Sequence, residues 1–221
     1  MKSKSIIVFT PHPDDETLGA GGFLLKKKSE GYNLIWLIMT HMNEKFGWSK
    51  EQIQKRESEI HKITQLYPFD FVYNLEFEPA GLDKYSLSEI IHPVSQIMKK
   101  HEPEIILLPS NQDPHTDHKI THQVGISVTK KFRNPNIKYI LEMEILSETN
   151  FGEIESISPN YFVDVTGFFQ KKTELLQVYE GEMGDHPFPR SVESVKALAL
   201  LRGTQRGSTY AEAFRIIKSY E

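Results

Sequence analysis

Two short clusters in this 221-residue chain bring imidazole and carboxylate groups together: Pro11-His12-Pro13-Asp14-Asp15-Glu16 and Pro114-His115-Thr116-Asp117-His118. Imidazole nitrogens with a carboxylate oxygen are the donors by which a catalytic Zn²⁺ is held with one coordination position left for water. One His and one Asp from the first cluster and one His from the second complete such a set. Carboxylates left over are then placed for general-base work. The chain has no Cys, so thiolate ligands, disulfides and a Cys nucleophile are excluded,.

Each piece also has a plainer reading. Asp14 and Asp15 taken alone read as helix N-caps, and His115 and His118 taken alone read as surface residues at a helix start. Three acids beside a proline-flanked His exceed what capping needs. The prolines on both sides of His12 fix the backbone and discourage early helix formation. Asp14 to Glu16 then fall at a helix N-terminus, where the helix dipole favours the carboxylate form. A further histidine, His122, follows the second cluster.

The elements that must position these clusters follow from hydrophobic patterning. Residues 5–10, 33–40, 69–75 and 104–109 are apolar runs rich in Ile, Val, Leu, Phe and Trp, without polar alternation, and read as strands buried on both faces,. Helical patterns separate them at 16–30, 49–66 and 86–103. Ser49 with Gln52, and Ser86 with Glu89, make capping boxes. A helix over 116–132, strands over 139–146 and 161–166, and helices over 168–180, 192–201 and 210–219 are expected to follow. The stretch 148–160 reads as a polar excursion.

Strand and helix alternation predicts an α/β fold, a Rossmann-like doubly wound and mainly parallel sheet with helices on both faces, in a single domain over 1–221. In the order 3-2-1-4-5, the first and fourth strands are neighbours where the order reverses. Ligands of open α/β sheets bind outside the carboxyl ends of strands at that point. The two clusters would then face one crevice. Leu18-Gly19-Ala20-Gly21-Gly22 lacks the full dinucleotide-loop pattern and sits inside a helix, so close helix-on-sheet packing explains it better.

Composition narrows the function classes. Thirty acidic against 26 basic residues give a formal charge of −4, and 38% of residues are hydrophobic. The Lys26–Lys28 run is the longest basic block, which argues against a nucleic-acid backbone tracker and against an anionic-membrane binder. The first apolar stretch breaks at Thr10-Pro11-His12, too soon for a signal peptide or a membrane span, so a cytoplasmic enzyme is expected. A homo-oligomer is compatible with the sequence.

At the two clusters the chain resembles the LmbE/PIG-L family of metal-dependent N-deacetylases, through that family's P/A-H-P-D-D-E and H-x-D-H signatures. Further similarity lies in Arg56 and Glu59 on the second helix, in Asn74 with Ala80-Gly81-Leu82, and in the tail from Arg202-Gly203 to Phe214. The resemblance implies that His12, Asp15 and His118 hold the metal, Zn²⁺ with Fe²⁺ or another divalent ion as alternatives. It implies Asp14 as general base, and a protonated His115, supported by Asp117, as stabiliser of the oxyanion. It further implies Arg56 as a substrate contact and an N-acetyl sugar of the N-acetylglucosamine type, free, nucleotide-linked or glycan-linked, as substrate. Arg190, in a Pro-rich segment, reads equally as a solvated loop arginine and as a substrate or subunit contact.

Two other readings compete. A non-catalytic sugar-binding or regulatory member of the fold would be expected to lack Asp14 or a ligand, and all are present. His12-Pro13-Asp14 with a distant His also fits the H-x-D…H triad of a non-haem Fe(II) oxygenase, but those triads sit on a β jelly roll, whereas this chain alternates strand and helix.

Overall fold

The structure, a computed structural model, describes residues 4–152 and 157–221. Its elements in chain order are β1 (Ser5–Thr10), α1 (Asp15–Ser29), β2 (Asn33–Thr40), α2 (Lys50–Leu66), β3 (Phe71–Phe77), α3 (Leu87–His101), β4 (Ile105–Leu108), α4 (Thr116–Val128), β5 (Tyr139–Met143), β6 (Tyr161–Asp164), α5 (Phe169–Leu176), α6 (Val192–Arg206) and β7 (Ala211–Ser219). The strands form one sheet in the order β3-β2-β1-β4-β5-β7-β6. The first five are parallel neighbours in the order 3-2-1-4-5, the arrangement under which the two clusters share a crevice; β7 runs antiparallel between β5 and β6.

The unbroken apolar runs have a direct cause. Alternate residues of each central strand enter two different cores, one on each face of the sheet. Ile6, Val8, Trp36 and Leu107 join the core under α1, α2, α5 and α6. Ile7, Phe9, Leu37 and Leu108 join the core under α3 and α4. Each such side chain contributes roughly 1.5–3 kcal/mol on burial, so neither face of these strands can be polar.

Both capping boxes form: Ser49 and Gln52 start α2, and Ser86 and Glu89 start α3. The glycines of α1 pack as expected. A Cβ on Gly22 would sit 2.7 Å from Val165 Cβ, and one on Gly19 would sit 3.0 Å from Met143 Cβ. The helix also kinks at Ala20 (φ −148°), and the carboxylate of Glu212 receives the N–H groups of Gly22 and Phe23 just beyond the kink.

The expected helix over 210–219 is instead β7. Ala211, Glu212 and Ala213 favour a helix locally, but Phe214 and Ile216 pair with β5 and, with Ile217, pack against the two cores, and tertiary burial overrides weak propensity,. The third strand starts two residues later than its pattern suggests, and α4 ends at Val128 rather than 132. Of the polar excursion 148–160, residues 153–156 lie outside the described residues, and a short 3₁₀ turn covers Thr149–Phe151. No helix among the described residues is long and apolar enough to cross a membrane.

Candidate active site

Strands β1 and β4 are adjacent at the point where strand order reverses, so the turn after β1 and the loop after β4 rise side by side. They carry the two clusters. His12, Asp14, Asp15, His115 and His118 line one cleft of about 280 Å³, together with Thr40, His41, Met42, Trp48, Arg56, Pro79, Ala80, Glu148, Glu182 and Arg190. The three imidazoles of His12, His115 and His118 form a triangle with ring centroids 4.7 to 5.7 Å apart.

Asp15 Oδ2 is the centre of this arrangement. It accepts the His12 backbone N–H at 2.9 Å and faces His12 Nδ1 at 3.7 Å and His118 Nε2 at 3.6 Å. The last two separations are too long for hydrogen bonds. They suit three donors around one small cation, since tetrahedral ligands at roughly 2.0–2.2 Å from an ion lie about 3.4 Å from each other. The far nitrogen of each ring is engaged by a carboxylate: His12 Nε2 donates to Asp117 Oδ2 at 3.1 Å, and His118 Nδ1 donates to Asp113 Oδ2 at 2.7 Å. Each ring therefore turns its unshared electron pair toward Asp15, in the carboxylate–histidine arrangement that orients metal-binding imidazoles.

The electrostatics agree. Burial depresses the His118 imidazole, but Asp15 and the Asp113 hydrogen bond outweigh it and push it up to about 9. The same carboxylates favour any cation at that point, a proton or a divalent ion, and an ion would displace the proton. A second possible donor group, His12, His115 and Asp117, suits an ion less well. Both Asp117 oxygens are already used, Oδ2 by His12 and the Ala80 N–H (2.7 Å) and Oδ1 by the Leu82 N–H (3.0 Å).

Here the geometry departs from what the resemblance implies. The Asp117 carboxylate reaches His12, not His115. The contact between Asp117 and His115 runs the other way, with the Asp117 backbone N–H donating to His115 Nδ1 at 3.1 Å as the N-cap of α4. Nδ1 is thus an acceptor, and the ring's proton belongs on Nε2. Burial and the neighbouring His12 and His118 hold His115 below its ordinary range.

Asp14 occupies the N-cap position of α1 without capping it through its carboxylate. Its side chain makes no cap hydrogen bond, its backbone sits at φ 122°, and its Oδ2 accepts from Arg190 Nη1 at 3.2 Å. Such a backbone costs on the order of 1–3 kcal/mol for a non-glycine residue and occurs where the surroundings enforce it. Here Glu16 Oε2 accepts the Asp14 N–H at 3.0 Å and Arg56 Nη1 donates to the Pro13 carbonyl at 3.1 Å. Burial, then Asp15 and Glu182, raise the Asp14 carboxyl well above the usual range against Arg190 and Arg56.

Arg56 and Arg190 both line the cleft, and Glu182 lies between them. It pairs with Arg56 through a short contact and with Arg190 Nη2 at 3.0 Å. Glu182, Glu148, His41, Trp48 and Asp113 were not singled out by sequence. Only Asp113 carried a usable signal, five residues before a candidate ligand on the same loop. His122, by contrast, turns away and bonds the Pro109 carbonyl.

The sequence profile described as PIG-L, GlcNAc-PI de-N-acetylase, matches residues 7–129 and so spans both clusters. The chain belongs to the PIG-L family. A diacetylchitobiose deacetylase of Thermococcus kodakarensis is 23% identical to this PIG-L chain over 97% of it and 83% of the relative. Among solved structures, the N,N′-diacetylchitobiose deacetylase of Pyrococcus horikoshii superposes with a TM-score of 0.74 at 23% identity, covering 97% of this chain and 84% of that one. The 4-carboxy-2-hydroxymuconate hydratase of Pseudomonas putida KT2440 superposes with a TM-score of 0.77 at 17% identity over 99% and 98%. One architecture thus carries a deacetylase and a hydratase, so function has to be argued from the site.

Proposed function

We propose that this protein is a metal-dependent hydrolase that removes the acetyl group from an N-acetylated sugar, with His12, Asp15 and His118 holding a divalent ion, Zn²⁺ by preference. The observation that carries the reading is the Asp15 oxygen 3.7 and 3.6 Å from two imidazole nitrogens whose far sides are tied to Asp117 and Asp113, with Asp14 beside it. Membership of the PIG-L family and similarity to diacetylchitobiose deacetylases support N-acetyl sugars as the substrate class. A non-haem oxygenase is disfavoured because the cluster sits on a parallel α/β sheet, and a purely binding role is disfavoured because the full donor set and Asp14 are retained.

A divalent ion at this position supplies Lewis acidity toward the amide carbonyl and lowers the pKa of water to about 7. The residues do the rest. Asp14, which lines the cleft beside Asp15, takes a proton from the attacking water,. As the carbonyl carbon becomes tetrahedral, His115 donates from Nε2 to the developing oxyanion. One such donor is typically worth ~10²–10³ in rate. Asp14 then passes its proton to the departing nitrogen, so that water and amide give acetate and amine. Asp117 keeps the His12 ring in the orientation this requires. Arg56 holds the Pro13 carbonyl and so fixes the turn that carries Asp14 and Asp15.

The test pairs acetate release with metal content. Wild-type protein should release acetate from N-acetyl sugars, and Asp14→Asn should lose at least ~10²-fold in kcat while binding the same stoichiometry of metal. Unchanged turnover in that variant, or absence of acetate from every N-acetyl sugar offered to metal-loaded protein, would overturn the reading.

A further inference from the structure

The chain has two tryptophans, and they differ in kind. Trp36 is fully buried in β2 and gives its indole N–H to Thr10 Oγ1 at 2.9 Å. Trp48 stands in the loop between β2 and α2, half-buried, and lines the cleft beside Met42. It belongs to neither core, and its indole makes no hydrogen bond, ring contact or cation contact among the described residues. Trp48 precedes the N-cap Ser49, a position that can staple onto the fourth helical residue, here Ile53,. A staple does not call for placement in a cleft wall. An indole face without a partner suits the apolar face of a sugar ring or a nucleobase.

Charge decides between those two. Lining carboxylates are Asp14, Asp15, Glu148 and Glu182, against the guanidinium groups of Arg56 and Arg190. Both guanidiniums already face carboxylates: Arg56 meets Glu182 and Glu59, and Arg190 meets Asp14 and Glu182 through its two terminal nitrogens, with only its buried Nε unpartnered. His41 is hydrogen-bonded to Asn74 and faces Glu57. A divalent ion brings the wall to neutrality and leaves no cation over for a diphosphate. The cleft, about 280 Å³, is also at the small end of the ~300–1,000 Å³ typical of ligand sites, so a single sugar ring fills it and a second must lie toward the rim,.

We infer that Trp48 is the platform for the second ring of an uncharged N-acetylated disaccharide or longer saccharide, and that sugar nucleotides are poor substrates. This rests on the deacetylase reading and names its substrate class. The probes are N-acetylglucosamine, N,N′-diacetylchitobiose and UDP-N-acetylglucosamine, offered to the metal-loaded protein. Trp48→Ala is expected to lower the disaccharide-to-monosaccharide ratio of kcat/KM roughly tenfold through KM, with Trp48→Phe in between. In the metal-loaded Asp14→Asn protein the disaccharide should shift tryptophan emission saturably, because Trp36 is sealed from solvent. The shift should vanish when Trp48→Phe is added. UDP-N-acetylglucosamine should produce neither binding nor efficient turnover.

An unchanged ratio with a lowered melting temperature would assign Trp48 to the helix staple and overturn the inference. Preferred use of the sugar nucleotide would overturn it as well. Loss of acetate release from all three sugars would instead strike the deacetylase reading, while the emission shift would still report on stacking.

Discussion

Asp117→Asn separates two accounts of how the site is built. In the structure the Asp117 carboxylate accepts three hydrogen bonds, from His12 Nε2, Ala80 N–H and Leu82 N–H. Asparagine has the same shape but one acceptor oxygen. With that oxygen toward His12 and Ala80, its amide group faces the Leu82 N–H; flipped, it faces two donors. At least one buried donor is left unmet, at about 1–3 kcal/mol of folding stability. The negative charge behind His12 also disappears, and loss of such an outer carboxylate typically costs 10–100-fold in metal affinity, or ~1.4–2.8 kcal/mol. Competition with a chromophoric chelator for Zn²⁺ measures this directly, and Asp113→Asn should behave alike through His118. Unaltered metal affinity, with kcat effects that depend on His115, would return Asp117 to His115 and refute the assignment to His12.

Two further outcomes follow from buried charges elsewhere. Burial outweighs hydrogen bonds from Thr17, Tyr179 and the Asp14 N–H and raises Glu16 from 4.5 to about 7. The folded state therefore holds a proton that the unfolded chain releases, and this group's contribution to stability falls as pH rises from about 4.5 to about 7, by on the order of 3 kcal/mol. Glu16→Gln should remove that part of the slope in urea unfolding; parallel wild-type and variant profiles would refute it. Lys172, buried on Glu212 Oε1 at 2.7 Å and the Leu18 carbonyl at 2.8 Å, should cost ~3–5 kcal/mol when changed to Met, because the Glu212 charge stays behind uncompensated,. A loss under about 1 kcal/mol by the same measurement would show that the two helix N–H groups satisfy Glu212 alone.

The parallel half of the fold was legible because its cause is local in the sequence. Strands that feed two cores must be apolar along their buried length, as β1 is from Ile6 to Phe9, β2 from Leu34 to Met39, and β4 throughout. Capping boxes at Ser49 and Ser86 marked helix starts within one residue. The C-terminal half was less legible. Ala211-Glu212-Ala213 has helix-forming composition, and its strand state depends on pairing with β5 and β6, both distant in sequence. Glu212 serves the kink of α1, a demand that no local pattern around residue 212 expresses. Arg56 and Arg190 were marked as substrate contacts, but the partner that neutralises them, Glu182, sits in a loop with no periodicity to read.

The site shows the same limit at higher resolution. Spacing put Asp117 two residues from His115 and suggested that one serves the other. At a helix start, however, residues i and i+2 do not share a face. His115, as N-cap, turns its Nδ1 back to the Asp117 N–H, while the Asp117 side chain points inward to the 80–82 loop and to His12 across the crevice. A carboxylate on the second strand-end loop thereby orients an imidazole on the first. The neighbourhood of β1 and β4 could be inferred from strand order; which His each carboxylate holds could not, because it is fixed by side-chain direction at a helix end. It also ties the two loops together: displacing either one breaks the His12–Asp117 contact and with it the alignment of His12 Nδ1 on Asp15. The metal site and the β1–β4 seam are therefore coupled, and changes that loosen one should be felt in the other.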